Sequence, residues 1–191
     1  MSAPTLGQAP LWYLSRSTGI VSFVLVTTAL GLGLASTQRA LASPRWPRFA
    51  TQRLHRNLSL LGLGFLCVHI VATITDGYVD ISWWTAFVPG ASHYRGTWVA
   101  LGTTAFDVIV AVTVTSLYRL RMNATYWRWL HYTVYAAWPL AWLHFLKTGT
   151  DAANGRFGLW IAIAAAALVT VAVGARAALR DDPAPVRSVV R

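Results

Sequence analysis

Five apolar stretches, each about as long as a bilayer is thick, are the feature that most limits how this chain can fold. They cover residues 12–36, 54–76, 97–118, 126–148 and 156–178. A helix needs about 20 apolar residues to cross the hydrocarbon core, and helices satisfy all their backbone groups within one segment. The sequence therefore predicts an all-α integral membrane protein, with one domain over residues 1–191 built from about five transmembrane helices.

The composition agrees with a membrane protein and excludes an ordinary soluble domain. Hydrophobic residues make up 55% of the 191 residues and charged residues only 12%, whereas charged residues form about a quarter of a soluble domain. A net charge of +10 would suit nucleic acid, but the arginines lie between the apolar stretches. Nucleic acid is therefore not a predicted partner, whereas membrane lipid is.

The ends of the chain and its cysteine carry weaker signals. The first ten residues contain no Lys or Arg, which argues against a cleavable signal peptide. The polar tail, residues 181–191, is predicted to be disordered. Cys67, the single cysteine, lies within an apolar stretch, so we expect a small core residue that forms no disulfide within the chain.

Orientation follows from the basic residues. Twelve of the sixteen fall on one side: Arg39, Arg45, Arg48, Arg53, Arg56, Arg119, Arg121, Arg128, Arg176, Arg180, Arg187 and Arg191. The positive-inside rule places that side in the cytoplasm. The N-terminus is predicted outside and the C-terminus in the cytoplasm, in a multi-pass protein of the cytoplasmic membrane.

Four of the five histidines occupy two depths in the predicted bundle. His55 and His69 lie fourteen residues apart in RLHRNLSLLGLGFLCVHI, and His131 and His144 lie thirteen apart in WLHYTVYAAWPLAWLH. The second and fourth helices run in the same direction, so His55 shares a depth with His131 and His69 with His144. At about 1.5 Å per residue, the two depths are about 20 Å apart.

The angle around the helix axis between the two histidines differs between the second and the fourth helix. Fourteen residues fall only about 40° short of whole turns, which puts His55 and His69 on one face. The thirteen-residue step leaves about 140° of mismatch between His131 and His144. Pro139 lies between them, and we expect local rewinding at this proline to bring both rings toward the second helix.

Paired imidazoles at one depth suit a haem iron that takes two axial nitrogen ligands. Histidine inside a membrane is expensive, which makes each one a functional hypothesis by default. A single one of them could instead hydrogen-bond a neighbouring helix, and His55 or His131 could contact lipid headgroups. Four at matched depths favour ligation. A non-haem metal or proton transporter that uses the same histidines stays open.

The two histidine-bearing stretches, LHRNLSLLGLGFLCVH and WLHYTVYAAWPLAWLH, resemble the ferric reductase-like transmembrane domain superfamily. That superfamily includes NADPH oxidases, ferric reductases and the haem-binding subunit of the bacterial methionine sulfoxide reductase system. The resemblance runs from SRSTG to about Gly158. It implies two haem b groups, with His55 and His131 on the inner iron and His69 and His144 on the outer iron.

The resemblance also implies a role. Electrons would cross the membrane outward from a quinol or a separate flavin reductase to an extracytoplasmic acceptor, because the stretch that matches the superfamily carries no flavin or nicotinamide domain. The glycines of GLGLA and GLGF lack the strand, turn and helix of a dinucleotide site. A stand-alone quinone-coupled superoxide or ferric reductase is the enzymatic alternative.

Other polar residues receive weaker assignments. Arg53, Arg56 and Arg128 flank the inner histidines and, like Arg16 on the outer side, are candidates to pair with haem propionates; ordinary membrane anchoring is the alternative. Asp107, in the third helix, is expected to be protonated or bonded to a threonine, with a proton or quinone site as the alternative. His93 is expected to be a solvated loop residue.

Overall fold

The computed structural model describes residues 9–36, 47–77, 81–149, 152 and 157–178. Within these residues the chain forms α-helices and short 3₁₀ turns and no strand, which confirms the predicted all-α class. The helices are α1 Ala9–Ser36, α2 Arg48–Thr75, α3 Gly96–Leu117, α4 Ala124–Tyr132, α5 Val134–Thr148 and α6 Phe157–Ala178. The tail at 181–191 lies outside the described residues, so its predicted disorder is not addressed.

Four of these helices are long and apolar enough to span a membrane. The spans are Pro10–Ser36, Phe49–Thr75, Gly96–Leu117 and Phe157–Ala178. They correspond to the first, second, third and fifth predicted stretches, which establishes a multi-pass membrane protein. The described residues do not test which side each terminus occupies, so the orientation stays a prediction.

The predicted helix 126–148 is broken, and the break is not where the sequence suggested. The helix is interrupted at Thr133, between α4 and α5, whereas Pro139 lies inside the continuous α5. The Thr133 N–H bonds the Leu130 carbonyl, and its hydroxyl bonds the same carbonyl at 2.6 Å. A threonine that turns its hydroxyl back onto the helix competes with the regular ladder, so the helix is reset at Thr133.

Two helix pairs form the body of the bundle. α1 lies antiparallel to α2, as shown by the Ser22 hydroxyl, which donates to the Gly62 carbonyl at 3.0 Å. α3 packs along α5, and α6 packs against α1 and α5, where the Trp142 indole N–H donates to the Ala162 carbonyl at 2.9 Å. At each of the two depths, one histidine lies on α2 and the other on α4 or α5.

The helix surfaces carry large apolar side chains on the outside. Val71, Trp160 and Val171 are among the exposed ones. Such surfaces are costly in water, whereas lipid solvates them. Cys67 is also exposed, so the prediction of a core cysteine was wrong. Its side of α2 faces outward. In a membrane protein an apolar residue can leave water by facing lipid, so it needs no place in the protein core.

A short 3₁₀ helix, Trp83–Ala86, covers the end of the bundle where His69 and His144 lie. The Ser82 hydroxyl accepts a hydrogen bond from the Trp84 amide and so caps this turn. The Thr103 hydroxyl of α3 donates to the Thr85 carbonyl at 2.7 Å, which fastens the turn to the bundle.

Candidate haem-ligand site

The inner level consists of His55 on α2 and His131 on α4. Their ring centroids are 6.2 Å apart and the ring planes are inclined by 67°. The His55 Nδ1 lies 2.7 Å from the Ala29 carbonyl oxygen of α1, so Nδ1–H donates to that oxygen. The hydrogen bond fixes the tautomer and leaves Nε2 as the acceptor nitrogen on the side away from α1.

His131 is held differently. Its Nδ1 lies 3.4 Å from the Ser116 hydroxyl of α3, a long hydrogen bond, and the same hydroxyl accepts from the Trp127 indole N–H at 3.3 Å. The Trp127 ring also stacks on the imidazole, with centroids 5.0 Å apart and planes inclined by 30°. Packing against Trp127, more than the long hydrogen bond, sets the orientation of this ring.

The outer level consists of His69 on α2 and His144 on α5. The His69 Nδ1 lies 2.7 Å from the Ser15 carbonyl of α1, and the His144 Nδ1 lies 2.8 Å from the Trp98 carbonyl of α3. Both rings thus carry the same Nδ1 bond to a main-chain oxygen that His55 carries.

Three glycines make room for the imidazoles. A Cβ added to Gly19 would lie 2.8 Å from His69 Nδ1, one added to Gly33 would lie 3.2 Å from His55 Cε1, and one added to Gly102 would lie 2.5 Å from His144 Nδ1. Gly33 was read from sequence only as an in-membrane glycine of GLGLA. The three glycines let α1 and α3 approach the imidazole rings closely, because no side chain lies between helix and ring.

A small apolar cleft of about 70 Å³ adjoins the inner pair. It lies between α1, α2, α3, α4 and α5, and its walls combine the two imidazoles with aliphatic side chains. They are Val26, Ala29, Leu30, Gly33, His55, Ser59, Ile109, Val112, Thr113, His131, Val134 and Tyr135. Such a lining suits the porphyrin edge of a haem, which must leave water.

Aromatic residues fill the bundle between the two levels. Phe23 of α1 stacks on Phe145 of α5, with centroids 4.6 Å apart and planes inclined by 9°. Trp138 lies on the other side of Phe23 at 6.5 Å, and its indole N–H donates to the Thr27 hydroxyl at 3.0 Å. The stacking of Trp138 on Phe23 joins α5 to α1.

The structure does not test the predicted pairing of the arginines with haem propionates. Arg53, Arg56 and Arg128 are exposed at the inner end, so their assignment to propionates stays a prediction. The Arg16 guanidinium lies over the Trp12 ring, 4.7 Å from its centroid. Arg16 directly follows Ser15, whose carbonyl accepts from His69, and its pairing with a propionate of the outer haem stays a prediction.

The remaining polar residues divide between the membrane and the loop. Asp107 is half-buried in α3, and within the described residues no threonine bonds it, so a protonated carboxyl is the part of the structural expectation that stays a prediction. His93 is exposed in the loop before α3. No group of three or more His, Cys, Asp or Glu side chains converges within the described ranges, so a polydentate metal site of the transporter type is not found in that part.

Some of the residues around the histidines could have been found in the sequence. Gly19 and Gly33 repeat the fourteen-residue spacing of His55 and His69, as expected for an antiparallel neighbour of α2. The acceptors Ser15, Ala29 and Trp98 act through main-chain oxygens, which any residue supplies. Their positions carry no signal in the sequence.

Comparison with known proteins identifies one relationship. Residues 18–142, about two thirds of the chain, match the family described as the ferric reductase like transmembrane component. This range contains His55, His69 and His131, and His144 lies two residues beyond its end. Searches of curated proteins and of solved structures returned no match.

Proposed function

Because this chain belongs to the family of ferric reductase-like transmembrane components, a membrane domain for electron transfer, we propose that it holds two b-type haems and carries electrons across the cytoplasmic membrane. His55 and His131 would hold the inner iron, and His69 and His144 the outer iron. Members of this family generally bind haem, which supports the assignment.

The separation of the inner rings is the observation that carries this proposal. A metal–imidazole bond is about 2 Å and the ring centroid lies about 1.1 Å behind the bound nitrogen, so two axial rings on one iron have centroids about 6 Å apart. The His55 and His131 centroids are 6.2 Å apart. This separation supports the proposal that both rings bind one iron.

The hydrogen bonds prepare the rings for this role. With Nδ1–H donating to the Ala29, Ser15 and Trp98 carbonyls, each of those three imidazoles keeps an unprotonated Nε2. Such partners orient a ligand and raise its basicity. The haem supplies the reversible one-electron chemistry, and the protein positions it and excludes water.

Donor and acceptor belong to other molecules in this proposal. A quinol in the membrane or a flavin on a partner protein would deliver electrons at the inner end. An extracytoplasmic protein or small molecule would accept them at the outer end. A stand-alone superoxide or ferric reductase differs only in needing no protein partner, and reaction of the purified protein with quinol and oxidant alone would favour it.

Spectroscopy of the purified protein tests the proposal. We expect a reduced-minus-oxidised spectrum of b-type haem with two haems per chain. His69→Ala and His131→Ala should each lose one haem, because each removes one axial ligand from a different level. His93→Ala is the matched control, since this exposed loop histidine belongs to neither level.

A protein without a Soret band would contradict the proposal. Stoichiometric zinc or copper in that protein would favour the transporter alternative. Two haems retained in both histidine variants would show that these side chains are not the ligands, even if haem is present.

A further inference from the structure

A cleft with two cationic side chains lies beside the outer histidines and belongs to none of the sites described above. It has a volume of about 360 Å³, and Arg95, Gly96, Thr97, Trp98 and Lys147 line it. The Arg95 guanidinium donates to the Lys147 carbonyl, and the Lys147 ammonium lies 5.4 Å from the centre of the Trp98 ring. Contacts with neutral groups thus hold two like charges together.

No carboxylate within the described part of the chain balances these charges. The partners of Arg95 are the Lys147 carbonyl and the Tyr94 ring, and the partner of Lys147 is the Trp98 ring. The first turn of α3, which lines the same cleft, contains no acidic residue. Two cations and a helix N-terminal turn give the cleft a positive potential that favours an anion.

The backbone at Arg95 is a second sign of a specialised position. Its φ is 46° and its ψ is 41°, and among the described residues it is the single non-glycine residue with positive φ. A long side chain rarely adopts this left-handed conformation. Such conformations concentrate at binding sites, and here the conformation directs the guanidinium across the cleft to α5.

The cleft is directly connected to the outer level. The Trp98 carbonyl accepts the hydrogen bond from His144 Nδ1, and Lys147 follows His144 by less than one helical turn. We propose that Arg95, Lys147 and Trp98 form a carboxylate-binding site next to the outer level. The carboxylate would come from a small polycarboxylate anion outside the membrane or from a propionate of the outer haem; the second source rests on the proposed function.

Citrate is the probe for the first source, because it carries three carboxylates and fits a cleft of this size. Calorimetric titration of the purified protein with citrate should show binding that weakens about tenfold for each cation removed, the loss expected for one charge-assisted hydrogen bond. Lys147→Gln and Arg95→Gly are the variants. Glycine adopts a φ of 46° freely, so Arg95→Gly removes the charge without straining the turn.

Two controls separate this site from general charge effects. Arg119→Gln removes the same single charge from the exposed opposite end of the bundle and should leave citrate binding unchanged. Trimethyl citrate, which has the same shape but no charge, should not bind.

The midpoint potential and occupancy of the outer haem test the second source, a haem propionate. If a propionate occupies the cleft, Lys147→Gln and Arg95→Gly should shift the midpoint potential of the outer haem or lower its occupancy, with the inner haem unaffected. Citrate binding that depends on both cations, in a protein without haem, would support the site and contradict the proposed function. A haem-loaded protein in which neither citrate affinity nor the outer potential responds to these variants would overturn the site.

Discussion

Three of the four membrane histidines donate Nδ1–H to a main-chain oxygen, whereas the described Nδ1 partner of His131 is a hydroxyl, that of Ser116. We expect Ser116→Ala to raise the midpoint potential of the inner haem by about 40 mV, since a lost hydrogen bond of about 1 kcal/mol makes the imidazole a weaker donor to ferric iron. Haem content should be retained, because Trp127 still packs on the ring. A redox titration followed at the absorption band of the reduced haem measures the change.

Thr115→Ala is the control for this change. Thr115 is the neighbour of Ser116 on α3, and its hydroxyl bonds the Ala111 carbonyl of its own helix at 2.6 Å. An equal shift of potential in both variants would mean that the helix, and not the bond to His131, sets the potential.

Glycines opposite the rings give a graded prediction. Gly102→Ala should cost most of the outer haem, because its Cβ would lie 2.5 Å from His144 Nδ1, a distance that nonbonded atoms cannot hold. Gly33→Ala should lower inner-haem content less, because its contact with His55 would be 3.2 Å. Pyridine haemochrome assays on protein of known concentration give the haem ratio.

Gly64→Ala serves as the glycine control. Nothing lies within 4 Å of a Cβ at this position of α2, so the variant should keep both haems and gain up to about 1 kcal/mol of helix stability. Full haem content in Gly102→Ala would contradict the idea that the glycine makes room for His144.

Asp76, at the C-terminal cap of α2, is a buried carboxyl. It is only 7% exposed, and its Oδ1 has no hydrogen-bond partner within the described residues. Burial raises the pKa of Asp76 above its ordinary value of 3.8. The folded protein therefore favours the neutral carboxyl, and the cost of the charge appears as the pH rises through this raised pKa.

Asp76→Asn should consequently stabilise the protein at neutral pH. A gain of about 1 kcal/mol would raise Tm by about 2–4 °C at pH 7. The gain should vanish below the ordinary carboxyl pKa, where the wild-type group is protonated in both states. Thermal unfolding in detergent at several pH values tests this, and a gain independent of pH would point to packing instead of charge.

At the scale of elements, the broken fourth segment explains how His131 and His144 serve two levels despite the mismatch of a thirteen-residue step. The amides of Ala136 and Ala137 both bond the Thr133 carbonyl at 3.0 Å, so α5 starts afresh there. The break at Thr133 and not Pro139 adjusts the two ring directions. The proline lies within the regular part of α5.

Pro139→Ala should therefore leave both haems in place. Alanine restores an N–H in the middle of α5 but does not alter the hydrogen bonds around Thr133. The ratio of haem to protein and the position of the reduced bands report the outcome. Loss of either haem would show that the proline, as first inferred from the sequence, does control the ring directions.

The helices and the pairing of the histidines were largely predictable, and the reasons differ by element. α3 spans Gly96–Leu117 where 97–118 was predicted, because an apolar run has ends that polar residues mark clearly. α2 begins at Arg48 and not at residue 54, because Gln52 and Arg53 continue the helix beyond the apolar part. The break at Thr133 was not predictable, since Thr is common in unbroken membrane helices.

The site was predictable only where side chains carry it. Matched spacing identified His55, His69, His131 and His144 as pairs. The contribution of Trp127 and Ser116 depends on how α3 and α4 meet, which no periodicity encodes.

At the scale of the whole molecule, each level is shared between two halves. α1 and α2 hold His55 and His69, while α3, α4 and α5 hold His131 and His144. Phe23 and Phe145 join the halves between the levels. A haem bound at either level would join them a second time, through its iron.

Haem removal should therefore loosen the two halves relative to each other. We expect a lower Tm for haem-free protein, by the usual linkage between binding and stability. Amide exchange should rise first at the ends of α2 and α5, near the histidines, and least around the Phe23 and Phe145 stack. Exchange measured by mass spectrometry with and without haem tests this, and a uniform change along every helix would contradict it.

Because the acceptors at Ser15, Ala29 and Trp98 are main-chain oxygens, point mutations affect the hydrogen bonds of the histidines unequally. A point mutation exchanges a side chain but leaves the carbonyl in place, so the bonds to His69, His55 and His144 pass unchanged through most codon changes. Within the described residues, His131 is the histidine whose Nδ1 has only a hydroxyl partner, that of Ser116, which a single codon change can delete; His69 would keep the Ser15 carbonyl if its 3.5 Å contact with the Ser15 hydroxyl were lost. Natural variation in this protein can thus adjust the partner of one imidazole while the other three stay as they are.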